Sequence, residues 1–512
     1  MKPKLLHTLA MLIMVAAAIV MSQSNNIASS HAASRSAVHE RGISPNNSQR
    51  IIPTSTGLLS TSHTYQSKQN GASSSCSGSG LSQFDNPPVD SKLPEPSDVN
   101  VSAGTNNLLE TVNTAFAVYD FNHCRISNIV PFSKWLNYAG GAADPRVIFD
   151  PVGKRFIMLI DEPDDNAIVI SVAQQSSAAG KWCKYTVPTL QGYLPDFPTL
   201  GVDNNGIYFS VNLFNLTSKE SGLFTTSQLF EMKRMPTESC QPAQFWDWHD
   251  NLDDPDCFGA GLACRSYSIT PAVTHDTSPY EYLVNSRPRA FGLYSCKLTF
   301  RRLDGAVPML YSAVSIDTKA CYSNPPKSPQ KGTNVKLSSG DASIYQASYM
   351  KDLSGKGLID TALTSGDTNF FPHNSIVRWY KIDPSNPDHP SITQQGTIGN
   401  TGDTWYFYPA IQQDVFGNAA LVYDTSSASS YESIRYSPVS NQGMLGKEVV
   451  LKESSTYYDD GGKDTGTARW GDYQSAVLDA NDNRKIWVAG QRTLENSKNV
   501  DYWSTFFEQV YA

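Results

Sequence analysis

Residues 198–211 have the sequence PTLGVDNNGIYFSV, in which two strand-like apolar runs flank a tight turn. A proline opens the unit, an aspartate follows five residues later, and a glycine precedes the second run. Similar stretches begin at Pro145, Pro271 and Pro409, and a copy without the proline ends at Asp479. Repetition of one supersecondary unit along a chain is typical of propellers, solenoids and arrays.

The spacing of this repeat predicts a β-propeller. The interval between Asp276 and Asp414 is about twice the others, which predicts a degenerate copy in the stretch DASIYQASYMKD that begins at Asp341. With an opening unit near residues 107–120, the chain holds about seven units, each long enough for the four short strands of a blade. We therefore predict an all-β chain with seven blades, six or eight being the alternatives. A pair of β-sandwiches would not explain so even a repeat.

The proline and the aspartate of the repeat both have structural explanations. Proline cannot donate to a strand ladder, so we expect it at the first residue of a strand. An aspartate after a strand can accept backbone N–H groups in the following turn. We therefore expect turn caps, not catalytic groups, at the repeat aspartates Asp150, Asp203, Asp276, Asp414 and Asp479.

The chain is predicted to have three segments. Lys2 and Lys4 precede an apolar run that is too short to span a bilayer comfortably, and a small-residue cleavage site follows, so residues 1–32 are predicted to be a signal peptide. Residues 33–98 are rich in Ser, Asn and Gly, which predicts a disordered linker. Residues 99–512 are predicted to be the propeller domain.

The amino-acid composition argues against two classes of binding partner, nucleic acids and membranes. The formal net charge is −8 and the basic residues are scattered, so we expect no nucleic-acid partner. No later stretch is apolar enough to predict a membrane span. We expect a monomeric protein that is secreted or associated with the cell surface.

The eight cysteines all follow the predicted signal peptide. An even number of cysteines in an exported chain predicts disulfide bonds, whose pairing the sequence leaves open. Cys76, in the linker, could tether it to the domain or pair between chains. The absence of a close cysteine pair argues against structural zinc.

A second set of carboxylates is the candidate catalytic set. Asp144 and Asp196 lie just before repeat prolines, and Asp341 and Asp472 occupy similar places before their strands. If these strands are the innermost of each blade, the four side chains gather at one mouth of the channel, where clustered carboxylates can share acid and base roles. The alternative is that each carboxylate caps its own loop and the four never meet.

Arginine and aromatic side chains beside Asp472 are the candidate ligand-binding residues. An arginine can bind an anionic group through two parallel hydrogen bonds, and aromatic rings can line a ligand site. Tyr408 takes the place before the repeat proline in the copy that ends at Asp414. The candidates are Tyr408, Arg469, Trp470 and Tyr473. The alternative for Arg469 is an ion pair with Asp472 that locks the last blade against the first.

No cofactor is expected, with calcium as the alternative. An acidic loop between Cys240 and Cys257 offers oxygen ligands for that ion but matches no EF-hand spacing. Its carboxylates are Asp250, Asp253, Asp254 and Asp256. The chain also lacks HExxH, GxSxG, P-loop and dinucleotide-binding motifs, which argues against the corresponding enzyme classes.

Several stretches resemble a family of uncharacterised, secreted bacterial β-propeller-like proteins. They include VNTAFAVYD, DPRVIFDPVGKRFIM, PDFPTLGVDNNGIYFSVNLF and RWGDYQSAVLDANDNRKIWVAGQ, and the resemblance covers roughly residues 105–491. It implies a single propeller domain and brings no activity with it. The chain is more loosely similar to sialidase-type propellers, but the hallmark SxDxGxTW turn is missing, so no site residues are transferred.

Two functions follow from these observations. The first is a binding or adhesion module whose ligand is a glycan or an extracellular protein, and the stalk-like linker favours it. The alternative is a carbohydrate-active hydrolase or lyase that uses two of the four candidate carboxylates. A purely structural wall component is a third, weaker interpretation. The discriminating observation is whether the four carboxylates share one cavity.

Overall fold

The structure is a computed structural model that describes residues 42–60, 79–85, 94–138, 141–162, 166–216, 222–256, 264–287, 294–368, 372–399, 402–459, 465–495 and 501–512. The predicted signal peptide, residues 1–32, and Cys76 lie outside these ranges.

Strands are the predominant secondary structure of the described residues, and helices are few. The first strands are β1 (Gly42–Ile43), β2 (Asn47–Ile51), β3 (Ser55–Leu59), β4 (Ser79–Ser82), β5 (Asn100–Ala103), β6 (Leu108–Val112), β7 (Ala115–Tyr119), β8 (Val130–Pro131), β9 (Ala143–Asp150), β10 (Arg155–Glu162), β11 (Ala167–Ala173) and β12 (Gly180–Pro188). The middle strands are β13 (Tyr193–Val202), β14 (Gly206–Asn215), β15 (Phe224–Lys233), β16 (Ala243–Trp248), β17 (Thr270–Thr274), β18 (Glu281–Asn285), β19 (Ser295–Asp304), β20 (Met309–Tyr311), β21 (Val314–Tyr322), β22 (Lys336–Leu337) and β23 (Ile344–Lys351). The last strands are β24 (Gly357–Gly366), β25 (Ser375–Asp383), β26 (Ser391–Ile398), β27 (Trp405–Gln413), β28 (Ala419–Ser426), β29 (Ser433–Val439), β30 (Val449–Glu453), β31 (Thr467–Ala468), β32 (Ser475–Leu478), β33 (Lys485–Glu495) and β34 (Asp501–Tyr511). Two short helices, α1 (Phe132–Leu136) and α2 (Arg234–Glu238), interrupt them, with one 3₁₀ turn at Gln83–Asp85.

The strands form antiparallel modules that follow one another along the chain, in a propeller-like arrangement. Modules 1 to 3 are β5–β8, β9–β12 and β13–β16, module 4 is β17–β21, and modules 5 and 6 are β23–β26 and β27–β30. Module 7 consists of β32–β34 with β4 as its outer strand. The degenerate copy predicted after Asp341 is confirmed as β23, the first strand of module 5.

The hydrophobic core lies between the faces of consecutive modules. Tyr185 of module 2 packs in one cluster with Phe209 and Phe230 of module 3. Another cluster joins Val101 of module 1 to residues of module 7, such as Trp487. Because both faces of the sheets are covered, inner strands such as β11 are buried along their whole length.

The first strands of the modules lie side by side. β13 pairs in parallel with β17, and β17 with β23, which joins modules 3, 4 and 5 into one large sheet. The first strands of the other modules also contact their neighbours in order, and β32 contacts β5. Ser475 on β32 donates a hydrogen bond to the carbonyl of Val101 on β5 over 3.0 Å.

None of the four repeat prolines is the first residue of its strand, although Pro271 is the second residue of β17. Pro145, Pro198 and Pro409 each lie inside a first strand, at a point where the pairing register shifts. A bulge leaves one residue out of the ladder, so a residue without an N–H is tolerated there. The prediction that proline opens the strand is therefore corrected.

The repeat aspartates cap turns, as predicted. Asp203 accepts hydrogen bonds from the backbone N–H groups of Asn205 and Gly206 at 2.7 and 2.9 Å. Asp150, Asp414 and Asp479 accept equivalent bonds in their own turns. Asp276 differs, because it accepts from the N–H of Lys351 on the neighbouring module.

Parts of the range predicted to be a linker are strands. β2 pairs with β16, β3 with β12, and β4 with β34, each at the outer edge of a module. Ile43–Ala512 forms one compact unit by itself. An edge strand is held by backbone hydrogen bonds and needs no periodic apolar pattern, which is why composition alone does not reveal it.

Two disulfide bonds are defined, Cys183–Cys240 and Cys296–Cys321. Cys124 and Cys264 are disulfide-bonded as well. Within the described part of the chain, no helix combines the length and the apolar character needed to cross a membrane.

Candidate functional site

A cavity of about 530 Å³ lies at the end of the modules where their first strands begin. Residues from six modules line it, next to the strands β5, β9, β13, β17, β23 and β32. The polar and aromatic lining residues include Glu95, Asn113, Tyr267, Ser268, Ser338, Ser343 and Tyr345.

All four candidate catalytic carboxylates line this one cavity: Asp144, Asp196, Asp341 and Asp472. A fifth carboxylate, Asp98, also lines the cavity. It lies two residues before β5, the first strand of module 1, and was not among the candidates from the sequence. Asp98 occupies a place like that of Asp144, but no repeat proline follows it. Its position before an apolar strand was the available signal. The alternative in which the carboxylates never meet does not hold.

The backbone is strained where the first strands meet the cavity. Five non-glycine residues there, each from a different module, have φ between 46° and 55°: Asp98, Asp144, Phe197, Ser268 and Tyr408. Aspartate tolerates this left-handed region, but for large residues such as phenylalanine and tyrosine it is unusual. Strained residues persist only where their surroundings hold them, and they cluster at functional sites.

Asp144 and Asp196 form a contacting pair. The Asp144 Oδ2 atom accepts the backbone N–H of Phe197 at 3.2 Å, and the Asp144 N–H donates to Asn113 Oδ1 at 3.1 Å. Burial, followed by the charge of Asp144 and a side-chain hydrogen bond to it, raises the pKa of Asp196 to about 8. At neutral pH Asp196 is therefore a proton donor next to Asp144.

Asp472 connects Asp98 with Arg469. The Asp472 N–H donates to Asp98 Oδ1 at 2.8 Å, and Arg469 Nη2 donates to Asp472 Oδ2 at 2.5 Å. Burial raises the pKa of Asp472, and Arg469 opposes that rise. Burial, followed by the charges of Asp472 and Asp144, holds the pKa of Asp98 well above its usual range.

Asp341 is fixed by its own turn. Its Oδ1 accepts the N–H of Ser343 at 2.8 Å and lies 3.3 Å from the hydroxyl of Tyr345. Burial raises the pKa of Asp341, and these hydrogen bonds lower it. This carboxylate therefore orients the wall of the cavity and is less free to react than Asp196.

Of the four candidate ligand-binding residues, only Arg469 lines the cavity. Trp470 is fully buried and donates from Nε1 to Asp424 Oδ2 at 2.8 Å. Tyr473 is buried, and its hydroxyl donates to the Pro145 carbonyl at 2.9 Å.

Tyr408 is also buried and packs against Tyr345, with ring centroids 6.0 Å apart. Residues 469 and 472 face the cavity, whereas residues 470 and 473 face the core between modules. Nearness in sequence does not distinguish these two directions. Trp470, Tyr473 and Tyr408 therefore support the site from behind instead of lining it.

The carboxylates of the acidic loop between Cys240 and Cys257 contact other residues of the protein. Asp254 accepts hydrogen bonds from Ser266, Asn285 and Thr299 at 2.6–3.1 Å. Asp250, Asp253 and Asp256 contact Asn46, Arg265 and Lys297. Within the described residues, no group of three or more His, Cys, Asp or Glu side chains is placed to hold a metal ion.

A second, smaller cavity of about 250 Å³ lies at the other end of the first strands. Its walls include the repeat aspartates Asp276 and Asp479, and also Lys154, Lys351 and His275. Burial lowers the pKa of His275 to about 4. The acidic character is thus confined to the cavity where the first strands begin.

A comparison with known protein families found no match, and neither did a comparison with curated proteins. Among solved structures, the chain is similar to a protein of unknown function from Dyadobacter fermentans, with 10% identity over 81% of this chain and 94% of the other, and a TM-score of 0.35. It is also similar to a xylan β-1,4-xylosidase from Bacillus halodurans, with 8% identity, coverage of 81% and 90%, and a TM-score of 0.31. The SapL1 lectin in complex with α-methyl fucoside gives 9% identity, coverage of 70% and 96%, and a TM-score of 0.37. Scores this low carry no information about what this chain binds or catalyses.

Proposed function

We propose that the acidic cavity is the active site of a carbohydrate-active hydrolase built on a closed seven-bladed β-propeller. The observation that carries the proposal is the meeting of Asp98, Asp144, Asp196, Asp341 and Asp472 in one cavity. These residues come from five modules, so their meeting is a property of the tertiary structure.

The proposed closure rests on contacts between the two ends of the chain. β32 of module 7 contacts β5 of module 1, and β4, from the N-terminal part, supplies the outer strand of module 7. The Thr505 hydroxyl on β34 donates to the Leu81 carbonyl on β4 at 3.0 Å. When the last sheet of a ring takes a strand from the N-terminal segment, the two ends of the chain are joined by backbone hydrogen bonds.

A glycan suits the chemistry of the walls. Carboxylates and serine hydroxyls can accept and donate hydrogen bonds to sugar hydroxyls. The rings of Phe197, Tyr267 and Tyr345 supply the apolar surface that ligand sites combine with a few polar groups. A phosphate or a uronic acid would be repelled by the carboxylates, and Arg469 is already bound to Asp472.

The proposed roles follow from the environments of the carboxylates. Asp196, with its pKa raised to about 8, serves as the general acid that protonates the leaving oxygen. Asp472, held by Arg469 and by the Asp98 contact, serves as the base or nucleophile. Asp144 keeps Asp196 protonated until substrate binds.

The test is a degradation screen on the purified chain with pooled neutral complex glycans. New reducing ends are expected from the wild type, with a loss of at least about 100-fold in Asp196→Asn and Asp472→Asn, the size typical of removing a general acid or base. Asp250→Asn, on the acidic loop outside the cavity, is the matched control and should retain activity. Unsaturated products would indicate a lyase instead. No product from any pool, with all variants folded, would contradict the enzymatic proposal.

A glycan-binding module is the second candidate. Asp98, Asp341 and Asp472 are already held by internal hydrogen bonds, an arrangement that also suits a rigid recognition site. This module would bind glycans on an array and lose binding in Asp472→Asn, while releasing no product. In either role we propose an exported protein, with which the disulfide bonds are compatible.

A further inference from the structure

We propose that the sugar unit bound in the acidic cavity carries a free, protonated amine, as a glucosamine unit does. This inference rests on the proposed glycan function and narrows it to one class of saccharide.

The charge of the cavity walls is strongly unbalanced. Six carboxyl groups line the cavity in the described chain, and the lining residues include a single guanidinium, that of Arg469. The carboxyl groups belong to Glu95, Asp98, Asp144, Asp196, Asp341 and Asp472. Arg469 is paired with Asp472 and also acts on Asp98, so a single positive charge faces six carboxyl groups. An uncharged sugar would leave this imbalance in place, whereas a cationic sugar would reduce it.

One buried oxygen of the wall has no partner. Asp98 is 1% exposed, and its Oδ1 accepts the Asp472 N–H, but its Oδ2 makes no hydrogen bond. A buried polar atom without a partner costs free energy that a ligand can recover. A primary ammonium group brings three donors and a positive charge, so it can bond Asp98 Oδ2 and a neighbouring carboxylate together.

The groups around the cavity do not supply the missing positive charge. The guanidinium of Arg146 lies behind the wall, 3.3 Å from the Tyr473 ring centroid, and its Nε donates to the Pro198 carbonyl. Asp161 adds another buried carboxyl group, and burial, together with the charges of Asp144 and Asp196, raises its pKa well above the usual range. Four tyrosines also interact with these aspartates: Tyr267, Tyr345, Tyr408 and Tyr473. The raised pKa values of Asp98, Asp161 and Asp196 indicate that protons on these carboxyl groups offset part of the negative charge.

Binding of an ammonium group should displace those protons. A positive charge next to Asp98 and Asp196 favours their ionised forms, so the pKa of each falls and protons leave as the ligand enters. An N-acetylated sugar carries no charge and has no such effect. The number of protons released on binding is thus a direct readout of the proposed contact.

The experiment is titration calorimetry on the purified chain with three ligands: a β-1,4-linked glucosamine tetramer, its N-acetylated counterpart and spermidine. Measurements in two buffers of different ionisation enthalpy give the number of protons released. We expect the glucosamine tetramer to bind at least about tenfold more tightly than both other ligands, with net proton release. Asp98→Asn should bring the ratio of the affinities for the two tetramers to within about threefold of one, whereas Asp250→Asn, outside the cavity, should leave that ratio unchanged.

The outcomes separate this inference from the proposed function. Equal affinity for the two tetramers, or binding without proton release, would overturn the amine preference while leaving a glycan site intact. Spermidine binding as tightly as the glucosamine tetramer would show that the sugar ring contributes nothing, and would also overturn it. If neither tetramer binds and the glycan screen gives no product, both the inference and the proposed function fail.

Discussion

Replacing Asp144 by asparagine should make the neighbouring Asp196 more acidic. Burial is the main cause of the raised pKa of Asp196, and the charge and hydrogen bond of Asp144 come next. Asparagine keeps the shape and the hydrogen-bonding capacity of residue 144 but removes its charge. A like charge in direct contact typically raises a carboxyl pKa by about 1–3 units, so Asp144→Asn should lower the pKa of Asp196 from about 8 by about that amount.

The change can be measured without knowing the substrate. Infrared difference titration follows the band of protonated carboxyl groups from pH 4 to 9, and the band missing in Asp196→Asn identifies Asp196. In Asp144→Asn that band should disappear at lower pH. If the enzyme proposal holds, the alkaline limb of kcat/KM should move in the same direction.

The control for this prediction is Asp341→Asn. Asp341 lines the same cavity but makes its hydrogen bonds with Ser343 and Tyr345, so its replacement should leave the titration of Asp196 nearly unchanged. An unmoved or higher pKa of Asp196 in Asp144→Asn would refute the pairing of these two carboxyl groups. A shift of equal size in both variants would attribute the effect to the general charge of the cavity.

Three further predictions concern stability, each measured as the free energy of unfolding in urea. Trp470→Phe removes the indole donor to buried Asp424 and should lower the free energy of unfolding by about 2–4 kcal/mol. Trp405→Phe is the control, because the Trp405 indole nitrogen makes no hydrogen bond, and it should lower the free energy of unfolding by less. Equal losses of stability in the two variants would contradict the role of the hydrogen bond. Burial raises the pKa of Asp424 to about 8, so the folded protein keeps a proton that the unfolded chain releases. Its contribution to stability is therefore full at acid pH and is lost as the pH rises towards 8. Between pH 5 and 7 the wild type should lose about 2–3 kcal/mol more than Asp424→Asn, and parallel pH profiles would contradict this. Lys381→Met leaves Asp360 buried without its ion pair and should lower the free energy of unfolding by about 3–5 kcal/mol. The double variant Lys381→Met with Asp360→Leu should recover most of that loss, because it removes the unpaired charge. A double variant as unstable as the single one would contradict this.

The position of a residue within the repeat was predictable from sequence. Several copies place a leading carboxylate, a strand and a turn aspartate in the same order, so Asp144 and Asp472 were expected at one end of their modules. The copy that ends at Asp414 has Tyr408 in place of the carboxylate. Asp98 was missed because no repeat proline follows it. The local hydrogen bonds of turn caps such as Asp203 were also predictable, since donor and acceptor are close in sequence.

The contacts between modules were not predictable from one sequence. Trp470 and Tyr473 are neighbours of Asp472, yet only the packing of modules 6, 7 and 1 turns their rings into the core. The edge strands β2, β3 and β4 could not be recognised from the sequence because their partners are at least 121 residues away in sequence and their ladders use the backbone.

The sequence by itself determined the all-β fold class, the recurring module and the phase of each carboxylate within it, because these depend on residues only a few positions apart. Only the tertiary structure decided that five aspartates share one cavity, that Asp196 lies against Asp144, and that Asp98 keeps an unpartnered oxygen. Burial and the distance between charges set these properties. Both depend on how modules far apart in sequence pack together.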